Sequence, residues 1–190
     1  MTTAAHFTAG RTKPIRLICL HTMESQEKPN TAVNVAAWFS NKARAPQASA
    51  HICVDGSNAN AKSGQKYPAP IVRVVDDGDT AWAAPGANND GLHIEMAGVA
   101  AQTVANWADA YSLAVLDNAA TVAAIWVKKY EIPVKHLSIM EVADQKSKGF
   151  CGHVDITNAF KIPGANHTDP GTHFPWSYFL QLVNTKLLKG

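Results

Sequence analysis

At 190 residues, with 46% apolar and 17% charged side chains, the chain is long enough to bury one hydrophobic core and too apolar to remain disordered. A formal net charge of +2 with no run of Lys and Arg along one element leaves no electrostatic footprint for nucleic acid. Residues 1–10 lack a basic-then-apolar leader and no apolar run approaches bilayer length, so neither Sec-type export nor a membrane span is expected.

Ile15 to Leu20 (IRLICL) reads as an apolar strand that stops at His21. After a turn at Pro29-Asn30, Thr31 is placed to cap a helix through Trp38 and Phe39, with Val35, Trp38 and Phe39 on one face. Ala48 to Val54 forms a second strand ended by Asp55-Gly56, residues 56–70 a loop, and Ile71 to Val75 a strand closed by Asp77-Gly78. A loop from Trp82 to Asp90 leads into a strand from Leu92 to Met96. Thr103 to Tyr130 carries the strongest helical pattern, with Leu113, Leu116, Ala120, Ala123 and Val127 as the buried stripe and Pro133 as the stop. Val134 to Leu137 is a further short strand, residues 139–172 have little periodicity, and Trp176 to Leu188 returns to helix. Alternating strands and helices with one long helix over a mixed sheet give an α/β chain, a single domain over 1–190 with its core at about 15–188. Cys19, Cys53 and Cys151 form no metal-type pair and are expected to be reduced.

Three features bear chemistry. His21 stands where an apolar strand meets a polar turn, a position at the mouth of a sheet. Gly152-His153-Val154-Asp155 and His167-Thr168-Asp169-Pro170-Gly171 gather imidazoles and carboxylates in an irregular segment, a donor set that suits zinc. Against this stands the plain alternative of ordinary loop residues. Glu95 is a carboxylate within the apolar strand LHIEM, and strand alternation sets it with His93 on the face opposite Ile94. Either that face is open to solvent, or the carboxylate handles a proton.

Taken in order, the chain resembles the type 2 N-acetylmuramoyl-L-alanine amidases, which include phage endolysins and peptidoglycan recognition proteins. The likeness rests on His21-Thr22, Ser49-Ala50-His51, Thr80-Ala81-Trp82, Ile94-Glu95-Met96-Ala97-Gly98, the GHVD and HTDPG segments and Phe174-Pro175-Trp176. It implies one Zn²⁺ per chain on His21, His153 and Asp169, with Glu95 and His167 catalytic and Trp82, Thr22 and Asn89 meeting substrate. Asp155 is expected to organise its loop. Thr22 stands where many relatives carry a second His, and Ala50 where some carry a Tyr. Segments 139–151 and 156–166 are longer than in compact relatives and are expected to wall the substrate groove.

The implied reaction is zinc-dependent hydrolysis of the amide between N-acetylmuramic acid and L-alanine in peptidoglycan, by a monomeric phage endolysin domain. Such an enzyme waits in the host cytoplasm and reaches the wall by holin-type release, with no nucleic acid or membrane partner. Two other readings stand beside it. One is a peptidoglycan-binding module without catalysis. The other is a zinc peptidase cutting within the stem peptide, for which His51 and Asp55 offer a candidate pair, although Asp55-Gly56 also reads as a turn.

Overall fold

The computed structural model describes residues 3–57 and 70–189. The expected loop at 56–70 falls mostly outside these residues. In chain order the elements are β1 (Phe7–Thr8), β2 (Leu17–Thr22), α1 (Thr31–Phe39), β3 (Ile52–Val54), β4 (Ile71–Arg73), β5 (Thr80–Ala81), β6 (Gly91–Met96), α2 (Val104–Trp107), α3 (Ala110–Tyr130), α4 (Ile139–Ala143), β7 (Gly149–Gly152), α5 (His153–Phe160) and α6 (Trp176–Lys189). Five strands form one mixed sheet in the order β4-β3-β6-β2-β7, while β1 and β5 make a small antiparallel ribbon. Within the main sheet β7, β2, β6 and β3 run parallel and β4 alone is antiparallel.

The period of two along each strand divides the molecule. Ile18, Leu20, Ile52, Val54, Leu92, Ile94, Met96 and Phe150 face α3 and α6 and make the main core. The alternate residues Leu17, Cys19 and Cys151 pack on α4, α5 and the Ala84–Ala87 loop, and Cys53 packs on α1. The metal-type residues belong to this second face. β2 reads LICLHT and is buried at every position, which is the pattern of a strand covered on both sides. The three cysteines are free and buried, and Cys19 and Cys151 face each other across β2 and β7.

Several expectations are corrected. Thr31 does not cap α1: Asn30 holds the cap position at φ 70, and the Thr31 hydroxyl donates to the Gln26 and Lys28 carbonyls. The buried stripe of α1 is Ala32, Ala36 and Phe39, with Val35 and Trp38 half-buried. The helix expected from Thr103 to Tyr130 is two helices, because Asp109 turns out of helical geometry and accepts the Ser112 N–H at 2.8 Å. Leu113 is consequently an exposed residue, and the core stripe of α3 runs through Val115, Leu116, Ala119, Ala120, Ala123 and Trp126. By length and composition alone α3 is apolar enough to cross a membrane; here that apolarity is spent on the sheet and α6. Val134 to Leu137 makes only a single bridge, His136 to Phe150. Segment 139–151 forms α4 and the edge strand β7.

Candidate metal centre

His21 ends β2 one residue before the strand stops, in register with Glu95 on β6. His153 opens α5 directly after β7, whose Gly152 pairs with Leu20. Asp169 lies in the TDPG turn, held against α5 by a hydrogen bond from Val154 N–H to the Asp169 carbonyl at 2.9 Å. Gly152 is required for that approach, since a Cβ there would come 2.5 Å from Pro170 Cδ. Gly171, at φ +95, is required on the other side of the turn, where a Cβ would collide with the Ala100 carbonyl. Asp155 ties the corner together by accepting Gly152 N–H at 2.7 Å and facing His136 Nε2 at 2.8 Å.

The three side chains converge. His21 Nδ1 lies 3.1 Å from His153 Nδ1 and 3.3 Å from Asp169 Oδ2, and His153 Nδ1 lies 3.3 Å from Asp169 Oδ1. All three are buried, at 2%, 4% and 6% exposure. Ligands about 2.0–2.1 Å from a tetrahedral ion stand about 3.3–3.4 Å apart, so these separations fit one zinc with a fourth position left open. Two imidazoles and one carboxylate match the ligand chemistry of catalytic zinc, and no cysteine intrudes. Among the described residues this is the one His/Cys/Asp/Glu group of three close enough to share an ion. Asp169 is pushed up by burial, but the His153 and His21 hydrogen bonds and charges outweigh it and hold the carboxylate well below its usual range. His153 is shifted down, by burial first, which keeps the imidazole neutral as a metal ligand must be.

Beside the cluster, burial and then the charges of Asp169 and Glu24 push the Glu95 carboxyl well above its ordinary value. His167 stacks on His153 with ring centres 3.8 Å apart, and its Nδ1 lies 3.6 Å from Asp169 Oδ1. It is exposed to solvent, and burial followed by the His153 charge lowers its pKa. A buried three-ligand cluster flanked by an elevated carboxyl and an exposed imidazole is an arrangement for activating water against a carbonyl.

A profile of the family described as N-acetylmuramoyl-L-alanine amidase matches residues 11–172. The chain belongs to that family. The Staphylococcus aureus hydrolase AmiA, solved in complex with its ligand, superposes with a TM-score of 0.65 at 17% identity, over 96% of this chain and 78% of that one. AmpD gives 0.58 at 18% identity over 95% and 92% of the two chains. The N-acetylmuramoyl-L-alanine amidase LysC from Clostridium intestinale gives 0.55 at 13% identity over 97% and 93%. At such identities the likeness is one of fold. A search of curated proteins found no match.

Within this amidase-family fold, His21, His153, Asp169, Glu95 and His167 come together. Thr22 is buried, and its hydroxyl donates to Glu24 Oε1 at 2.6 Å. Trp82 and Asn89 are not brought to the cluster. Trp82 pairs with Ser49 ahead of β3, stacks on His6 and donates from Nε1 to Thr8 Oγ1. Asn89 lies in the turn before β6 and accepts from Thr12, at the other end of that strand from Glu95, with Gly91 to Glu95 alone spanning about 13 Å at about 3.3 Å per residue. Asp55 does not join His51 as a metal pair: its Oδ2 accepts Ala32 N–H at 2.9 Å and its Oδ1 takes Ser57 N–H and hydroxyl, fixing the start of α1. Sequence reasoning missed Glu24, which bridges Thr22 to Ala100 N–H beside the site. Its only signal was an acidic residue three positions past His21.

Proposed function

We propose that this chain uses one zinc ion to hydrolyse the amide between N-acetylmuramic acid and L-alanine in peptidoglycan. The observation that carries the reading is the buried His21–His153–Asp169 triangle, with Glu95 and His167 beside it, in a chain of the amidase family. His21, His153 and Asp169 would hold the ion. When bound, zinc lowers the pKa of water from about 15.7 toward about 7 and acts as a Lewis acid on a carbonyl.

The remaining steps belong to the chain's own side chains. Glu95 takes the proton of the attacking water and delivers it to the departing L-alanine amine, a task suited to a carboxyl that its surroundings push well above its ordinary value. His167, above His153 and open to substrate, donates a hydrogen bond to the oxygen on which charge develops. Both loops that carry ligands are pinned by close glycine contacts, which holds the donors in place before substrate arrives. We also propose that residues 1–190 act as one monomeric catalytic domain of a phage endolysin, released from the host cytoplasm by a holin.

Digestion of purified walls followed by mass spectrometry of the fragments tests the cut. Amide cleavage at muramic acid leaves the glycan intact and frees an L-alanine amino terminus. New termini within the stem peptide would replace the reading with a peptidase, and wall binding without fragments would replace it with a binding module.

A further inference from the structure

Behind the metal cluster stands an imidazole that the chemistry above does not use. His93 lies two residues before Glu95 on the same face of β6 and is fully buried. Its Nδ1 is 3.0 Å from His21 Nε2. Its backbone N–H donates to His51 Nδ1 at 3.0 Å, and the two rings stack 5.6 Å apart at 15°. Its own Nε2 is buried with no hydrogen-bond partner among the described residues.

Proton counting gives this arrangement a meaning. His21 turns Nδ1 toward His153 and Asp169, so a metal there takes Nδ1 and leaves the single ring proton on Nε2. That N–H then donates to His93 Nδ1, which must be bare, and the His93 proton falls on Nε2. Nε2 is the nitrogen that finds no acceptor. A buried N–H without a partner is unfavourable, and here it follows directly from the tautomer that His21 requires. The ring is also walled in: a Cβ on Gly91 would lie 2.9 Å from His93 Nε2 and 2.7 Å from the Ala87 carbonyl, so only glycine leaves room for it.

We propose that His93 is a positioning residue for the metal centre, accepting the His21 Nε2–H and so fixing both the tautomer and the ring plane from which His21 Nδ1 reaches the ion. This rests on the zinc reading of the site. The test is zinc affinity, measured by competition with a chromophoric chelator, in the parent, His93→Leu and His93→Asn proteins. Leu removes the acceptor, whereas the Asn carbonyl oxygen stands near the place of Nδ1. Leu is expected to weaken zinc binding by about 10–100-fold, with a changed visible spectrum of the Co²⁺ form, and Asn to restore both to near the parent. Equal affinity in the Leu and parent proteins, or equal losses in Leu and Asn, would overturn the assignment while leaving the zinc reading intact. A parent without zinc affinity would overturn the zinc reading and the assignment with it. Should the Leu variant fail to fold, ¹⁵N spectra of the zinc-loaded parent decide the matter: His93 protonated on Nε2 is the expected tautomer, and His93 protonated on Nδ1 contradicts the proposal.

Discussion

Glu95 occupies a strand whose other residues are apolar or paired. A carboxyl in such a place lowers stability unless it is paired or used, and burial, then the charges of Asp169 and Glu24, push it well above its ordinary value. Replacing it by Gln keeps the shape and removes the proton. Glu95→Gln is expected to lower turnover of cell-wall substrate by about 10²–10⁴-fold while zinc content stays at the parent level. Undiminished turnover would exclude Glu95 from the chemistry. The placement of Glu95 and His93 on one face was legible in five residues, because strand alternation is local. The pairing of GHVD with HTDPG was legible as motif, and its physical basis is the contact between Gly152 and Pro170. The partners of His93 and His51 were not legible. Arg11 meets His51 and His21 meets His93 across 40 and 72 positions of chain, and nothing in a local pattern records such contacts.

Elements are joined at two buried polar points, and each makes a prediction about stability. Asp77 follows β4 and binds α3: its Oδ1 meets Arg73 at 2.6 Å and Trp126 Nε1 at 3.1 Å, and its Oδ2 meets Lys129 at 3.1 Å and Tyr130 at 3.0 Å. Burial pushes this carboxyl up, but the Arg73, Lys129 and Tyr130 partners outweigh it and bring the pKa to about 2. Because the folded value lies below the unfolded 3.8, the contribution is complete above that pH and is lost as pH falls toward 2. Asp77→Asn is expected to cost about 1–3 kcal/mol near neutral pH, with the difference from the parent narrowing below pH 4 in urea unfolding. A constant difference down to pH 2 would contradict the charge-based account.

His51, at the start of β3, is held neutral with its pKa lowered to about 3, by burial first and then by the Arg11 guanidinium 2.6 Å away. An unfolded chain takes up that proton near 6.5 and the folded one does not, so stability falls as pH drops from 6.5 toward 3. His51→Asn keeps an acceptor for the His93 N–H and removes the titration. In the metal-free protein it is expected to flatten the loss of stability by up to about 1.4 kcal/mol per pH unit across that window; an unchanged slope would show that His51 is not the group responsible. At this scale the sequence was read well where period and length agreed, as in β2, β6 and α6. It was read poorly where a single polar residue decided the boundary. Asp109 looks like any polar position in a helical pattern until its side chain is seen capping α3. GFCG is too short and glycine-rich to announce a strand, yet β2 supplies the ladder that makes β7 one.

At the scale of the whole molecule, the sheet separates a face devoted to packing from a face devoted to chemistry. Helices α3 and α6 cover the even-numbered strand residues, and the odd-numbered ones carry His21, His93 and Glu95 toward the loops after β7. The α/β class and the mixed sheet were legible because apolar strands alternate with an Ala-rich helix. The separation of Trp82 and Asn89 from the cluster was not, since loop direction depends on the N-terminal arm that engages both. The central claim, that the buried triangle is a zinc centre driving wall hydrolysis, is tested most directly by clearing of purified cell walls before chelation, after it, and after Zn²⁺ is returned. The account predicts one zinc per chain, clearing lost with the metal and regained with it. Clearing that persists in protein shown to be free of metal would contradict it.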